Sequence, residues 1–208
     1  MRELPRLLVI LDEVEGGHDV LTIARGALAA GAHMLLYRVP GKKVCDYIEV
    51  AREVASLAAS HDALFLTHDC LDVALALGAD GTHLPGYGMC GKDARRVFGQ
   101  GKILGKSLHA VSEFEDREQA VALTYATLSP VYLTSSKPGY GPALGVGVLG
   151  EAAKLAPEVK VFALGGVTPR RVGACLDAGA YGVAVMGGIS HADDPYLATR
   201  AYLDALSL

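Results

Sequence analysis

Residues 176–188 read Leu-Asp-Ala-Gly-Ala-Tyr-Gly-Val-Ala-Val-Met-Gly-Gly. A helical pattern stops at Gly179, a short β-branched run follows over Gly182–Val185, and a glycine pair, Gly187-Gly188, closes the unit. Glycine suits the left-handed residue that ends a helix. The same joint recurs upstream as Gly31-Ala32 and Gly78-Ala79, so that successive joints lie 47 and 101 residues apart. Those separations divide into two and four units of roughly 24–25 residues, the period of one strand plus one helix. Eight such units account for all 208 residues. The pattern predicts one domain, residues 1–208, folded as a single (β/α)8 TIM barrel.

The rest of the chain carries the same alternation. Short apolar runs stand at Leu7–Leu11, His33–Tyr37, Ala63–Thr67, Gly81–Leu84, Ile103–Ser107, Ala126–Leu128 and Val161–Leu164. Helical patterns fill the gaps, among them Val20–Ala30, Tyr47–Ser60, Glu113–Val121, Arg170–Ala178 and Asp194–Leu206. Strands alternating with helices imply a parallel sheet with helical crossovers. A doubly wound open sheet is the alternative, but eight units of one strand and one helix account for the whole chain, as a closed barrel needs.

Composition removes several function classes. At 51% hydrophobic residues the chain can bury a core, and a net charge of −4 gives no basic footprint for nucleic acid. The apolar run Leu7–Leu11 meets Asp12, Glu13 and Glu15 at once, unlike a signal peptide, and no stretch is long enough to span a bilayer. A cytoplasmic protein with a small-molecule partner is expected, its oligomeric state left open. Cys45, Cys70, Cys90 and Cys175 show no C-x-x-C spacing and read as reduced bystanders.

A barrel builds its site where strands end and helices begin. Those positions carry Asp12, Arg38, His68 with Asp69, the Pro85–Met89 turn, Ser107, His109 and Ser129. Gly165-Gly166 follows the seventh strand and Gly187-Gly188 the eighth, where barrels commonly hold a phosphate on backbone N–H groups. Thr168 and Pro169 suit a helix N-cap and first turn. The long stretch Ser129–Gly145 reads as a binding loop, with Thr134, Ser136 and Lys137 as hydroxyl and cationic contacts for an anion. Gly105-Lys106-Ser107 imitates the end of a P-loop, but residue 100 is Gln and the triplet lies inside a strand. Of seven histidines, most read as surface or packing residues. His109 differs, since an imidazole just past a strand end can serve as general acid or base near neutral pH.

Taken in order, the markers resemble the thiamine phosphate synthase and thiazole tautomerase superfamily along roughly Leu7 to Tyr202. They are Arg38, His68-Asp69, Gly78–Leu84, Gly105–His109, Ser129–Tyr132, Thr134–Lys137, Ala163–Val167 and Val183–Met186. The synthase couples a pyrimidine diphosphate to a thiazole phosphate and holds Mg²⁺ with an Asn-Asp pair and a second Asp. Asp69 matches, but His68 replaces the Asn and Gly88 stands at the second Asp. Arg38 survives from a Gln-x-Arg-x-Lys pattern whose Lys is replaced by Pro40.

These departures favour the tautomerase branch, an isomerase that moves a proton on a thiazole carboxylate phosphate. On that expectation His109 and Ser107 are catalytic, and Gly165, Gly166, Gly187, Gly188, Arg38, Thr134, Ser136 and Lys137 bind the phosphorylated thiazole. No metal and no cofactor are implied. A divergent synthase is the alternative, supported by Thr134–Lys137, and a catalytically silent barrel that binds a thiamine precursor is the third reading.

Overall fold

The computed structural model describes residues 3–13, 15–134 and 142–207. Eight parallel strands close on themselves in sequence order: β1 Leu7–Leu11, β2 Met34–Tyr37, β3 Leu64–His68, β4 Gly81–Leu84, β5 Ile103–Leu108, β6 Tyr125–Leu128, β7 Lys160–Ala163 and β8 Gly182–Val185. The seam pairs Leu7 with Val183 and Val9 with Val185. The crossovers are α1 Val20–Ala29, α2 Val44–Ser60, α3 Leu71–Ala76, α4 Gly91–Phe98, α5 Arg117–Ala120, α6 Gly147–Leu155 and α7 Pro169–Asp177. After β8 come a short α8, Gly187–Ser190, and α9, Pro195–Leu206. The expected (β/α)8 barrel is therefore the fold. Among the described residues, no helix is long and apolar enough to cross a membrane.

Alternation along each strand sorts its side chains into two cores. Leu8, Ile10, Met34, Leu36, Leu64, Leu66, Ile103, Tyr125, Phe162 and Ala184 fill the barrel interior. Their neighbours Leu7, Val9, Leu35, Phe65, Leu104, Ala126, Val161 and Val183 face the helices. The three joints behave as expected: Gly31, Gly78 and Gly179 take φ of 97°, 64° and 105°. At the seam Gly182 is required, because any Cβ would overlap the Arg6 carbonyl.

One local expectation is corrected. Glu113–Val121 is not one helix but a 3-10 turn, Val111–Phe114, followed by α5. The Glu113 carboxylate turns back to accept from the backbone N–H groups of His109 and Ala110, and Asp116 starts a new helix by accepting from Gln119. Gly187-Gly188 follows β8, with Gly187 opening α8 directly after Met186.

Candidate active site at the barrel mouth

The inward parity of the strands continues past the apolar layers to their carboxyl ends. There it gathers Arg38, His68, His83, Ser107 and Ser129 around a cavity of about 1200 Å³. The same cavity is lined by His109, Thr134, Gly165, Gly166, Gly187 and Gly188, so every described residue expected to catalyse or to bind the ligand meets in one place. Ser136 and Lys137 lie outside the described residues.

Arg38 reaches across to Asp12, and the two form an ion pair, with the carboxylate side chain only 8% exposed. Tyr47, from α2, donates to the Tyr37 carbonyl at 2.7 Å and accepts from the His68 N–H at 3.2 Å, which ties the ends of β2 and β3 together. Asp69 follows in the left-handed region, φ 62°, and is exposed rather than lining the cavity.

Two imidazoles take fixed and different settings. His109 Nδ1 lies 2.9 Å from the Ser129 carbonyl. A carbonyl only accepts, so the proton of the neutral ring sits on Nδ1. His83 is fully buried between Tyr125 OH, 2.9 Å from Nδ1, and Ser107 Oγ, 2.8 Å from Nε2. Burial drives its pKa well below the ordinary histidine value, and His68, Arg38 and Lys106 nearby act in the same direction. Outside the strand ring, buried Lys106 donates to the Met89 carbonyl at 3.0 Å and braces the turn that carries Tyr87. That burial lowers the lysine pKa.

The glycine pairs are held by their neighbours. Gly165 and Gly166 have φ of 92° and 62°. A Cβ at Gly165 would come within 2.8 Å of Pro130 Cα, and one at Gly166 would overlap the Leu133 carbonyl. Their carbonyls are occupied, by Tyr132 N–H at 3.0 Å and by Arg171 Nη1 at 2.7 Å. Arg171 also stacks 4.4 Å over the Tyr132 ring and lines the cavity. Tyr202, from α9, donates to the Val167 carbonyl at 2.9 Å and leaves no room for a Cβ at Gly188, so one phenol links both glycine loops.

Sequence reasoning passed over His83, Tyr125, Arg171 and Tyr202. For His83 the signal is parity: it lies two residues after Gly81 and shares the inward face. Arg171 and Tyr202 lie on helices and carry no comparable mark.

The closed barrel with its cavity at the carboxyl ends of the strands defines a (β/α)8 protein of the enzyme-bearing kind. More narrowly, the chain belongs to the thiamine monophosphate synthase family, whose model matches residues 7–189. It is 38% identical over 213 aligned residues to the thiamine-phosphate synthase of Salinispora tropica, covering 100% of both chains. It is 34% identical to that of Methanoculleus marisnigri, covering 97% of this chain and 95% of the relative. Among solved structures it resembles a thiamine phosphate pyrophosphorylase from Pyrococcus furiosus, with TM-score 0.84, 25% identity, and coverage of 97% and 95%.

These relatives correct the expected branch. The isomerase reading, a thiazole tautomerase, is overturned by the full-length likeness to proteins named as synthases. That reading rested on His68, Gly88 and Pro40, three positions in loops or at a strand end, where single replacements are tolerated while the frame of the chain persists.

Proposed function

We propose that the chain works as a thiamine-phosphate synthase, coupling a pyrimidine diphosphate to a thiazole phosphate with release of diphosphate. The observation that carries this reading is the 38% identity to the Salinispora tropica synthase over the whole of both chains. The cavity, about 1200 Å³, exceeds the roughly 300–1,000 Å³ of a site for one small ligand and suits two substrates. Gly165, Gly166, Gly187 and Gly188, with Arg171 beside them, suit the thiazole phosphate. Arg38, Ser107, His109 and Thr134 suit the second substrate, and Ser136 and Lys137 keep the anion-binding role their types support.

The resemblance implies Mg²⁺ on the diphosphate, and this donor set does not fit a resident ion. Among the described residues, no group of three His, Cys, Asp or Glu could hold one. Asp69 is exposed outside the cavity lining, and Glu113 is engaged by two backbone N–H groups. Mg²⁺ is usually held by one or two carboxylates together with substrate phosphates, so an ion here would come with the diphosphate rather than reside on the protein alone. This chain's own contribution toward the charge of the leaving diphosphate is assigned chiefly to Ser107, with the Asp12-paired Arg38 beside it.

The test is direct. The protein is incubated with both substrates and the product is followed by mass spectrometry. Thiamine phosphate formed well above the buffer rate is the expected result. Binding of both substrates by calorimetry without product would favour the silent-barrel reading, which the committed Arg38–Asp12 pair supports.

A further inference from the structure

Tyr125 is fully buried in the barrel interior, and His83 Nδ1 at 2.9 Å is the hydrogen-bond partner of its hydroxyl. The sequence makes room for this on purpose-built ground: any Cβ at residue 105 would overlap the Tyr125 ring, so Gly105 lets the ring lie against β5. On the other side of the imidazole, Nε2 meets Ser107 Oγ at 2.8 Å, and Ser107 lines the cavity.

The direction of these bonds follows by elimination. Were the phenol to accept from an Nδ1–H, its own proton would be buried without an acceptor, and an unsatisfied buried donor is strongly disfavoured. Tyr125 therefore donates, Nδ1 accepts, and the neutral ring carries its proton on Nε2. Nε2–H then donates to Ser107 Oγ. The serine proton is turned away from His83, and the open side of Ser107 is the cavity. Bonds aligned head to tail polarise one another, so the last donor in the row is strengthened.

We propose that Tyr125 and His83 are positioning residues that set Ser107 as a hydrogen-bond donor into the cavity, aimed at an anionic oxygen of the substrate. For the identity of that oxygen, the leaving diphosphate, the proposal rests on the synthase reading. For the direction of the protons it does not.

The first measurement is ¹⁵N NMR of the substrate-free protein with labelled histidine, His83 being assigned by the loss of its signals in His83→Asn. The wild-type ring is expected as the Nε2–H tautomer, moving toward Nδ1–H in Tyr125→Phe, whose Phe keeps the ring volume. The second is a mutant cycle on coupling kinetics. Ser107→Ala is expected to lower kcat by about 10²–10³, the loss typical of one transition-state donor. Tyr125→Phe is expected to lower kcat about tenfold with KM within about twofold, since it acts through the serine. In the Ser107→Ala background, Tyr125→Phe should cost nothing further. A wild-type Nδ1–H tautomer, or an equal cost of Tyr125→Phe in both backgrounds, would overturn the proposal. Should the protein couple no substrates, the NMR arm and the same cycle on calorimetric binding of inorganic diphosphate still decide it. Failure of the synthase reading is thereby kept apart.

Discussion

Gly166 concentrates more constraint than any side chain at the mouth. Its φ of 62° costs an ordinary L-residue about 1–2 kcal/mol. Its missing Cβ is also what admits the Leu133 carbonyl and, at 2.8 Å, Tyr132 Cβ. Gly166→Ala is expected to destabilise the protein by at least that amount in urea unfolding and to weaken inorganic phosphate binding in calorimetry. An unchanged phosphate affinity would remove this loop from the anion site. Among individual residues, Ser107, His109 and the glycines are legible in the sequence because they stand just beyond apolar runs, where a barrel displays its chemistry. His83 is legible only through strand parity, since an imidazole flanked by Thr82 and Leu84 reads equally well as packing.

At the scale of elements, the strands are legible because a buried parallel strand is an unbroken apolar run, and the Gly-Ala joints mark where each helix stops. The stretch 111–121 misleads because its periodicity is helical while its carboxylates prefer other work. Glu113 satisfies the N–H groups of His109 and Ala110, and Asp116 restarts the chain as a cap. Contacts between distant elements leave still less trace. Tyr202 of α9 reaches the loop after β7 and borders Gly188 after β8, yet in sequence it is one more apolar residue of a helix. Burial raises its pKa to about 12, so the phenol remains a donor at every pH of interest. Tyr202→Phe should leave volume unchanged but strand the Val167 carbonyl. If about 1 kcal/mol of that loss reaches the site, phosphate binding weakens about fivefold. Calorimetry with inorganic phosphate, alongside a thermal melt, separates the local effect from general unfolding.

For the whole molecule, the buried imidazole of His83 links folding to pH. In the folded barrel its pKa is well below the ordinary value of 6.5, with desolvation the main cause and His68, Arg38 and Lys106 adding to it. The unfolded chain therefore binds more protons than the native one at pH values between the two. The stabilising contribution is complete above about pH 6.5 and is lost as pH falls toward the folded value. Urea midpoints measured between pH 7.5 and 5 should decline on acidification, and the decline should be shallower in His83→Asn. Equal slopes would assign the acid sensitivity to other groups.

The seam between β1 and β8 has a further consequence. On one flank Leu7 and Val9 find their partners in Val183 and Val185, near the opposite end of the chain, and the Gly182 backbone lies close against the Arg6 carbonyl. During synthesis on the ribosome, the first strand emerges long before the last. Until β8 arrives, β1 and β7 each have a flank of unsatisfied amides, an adhesive border through which a neighbouring nascent chain can be recruited. The closure that gives the finished barrel its lack of edges thus makes its assembly depend on a late arrival. Chaperone demand in the cell would then scale with the time spent waiting for residues 182–185.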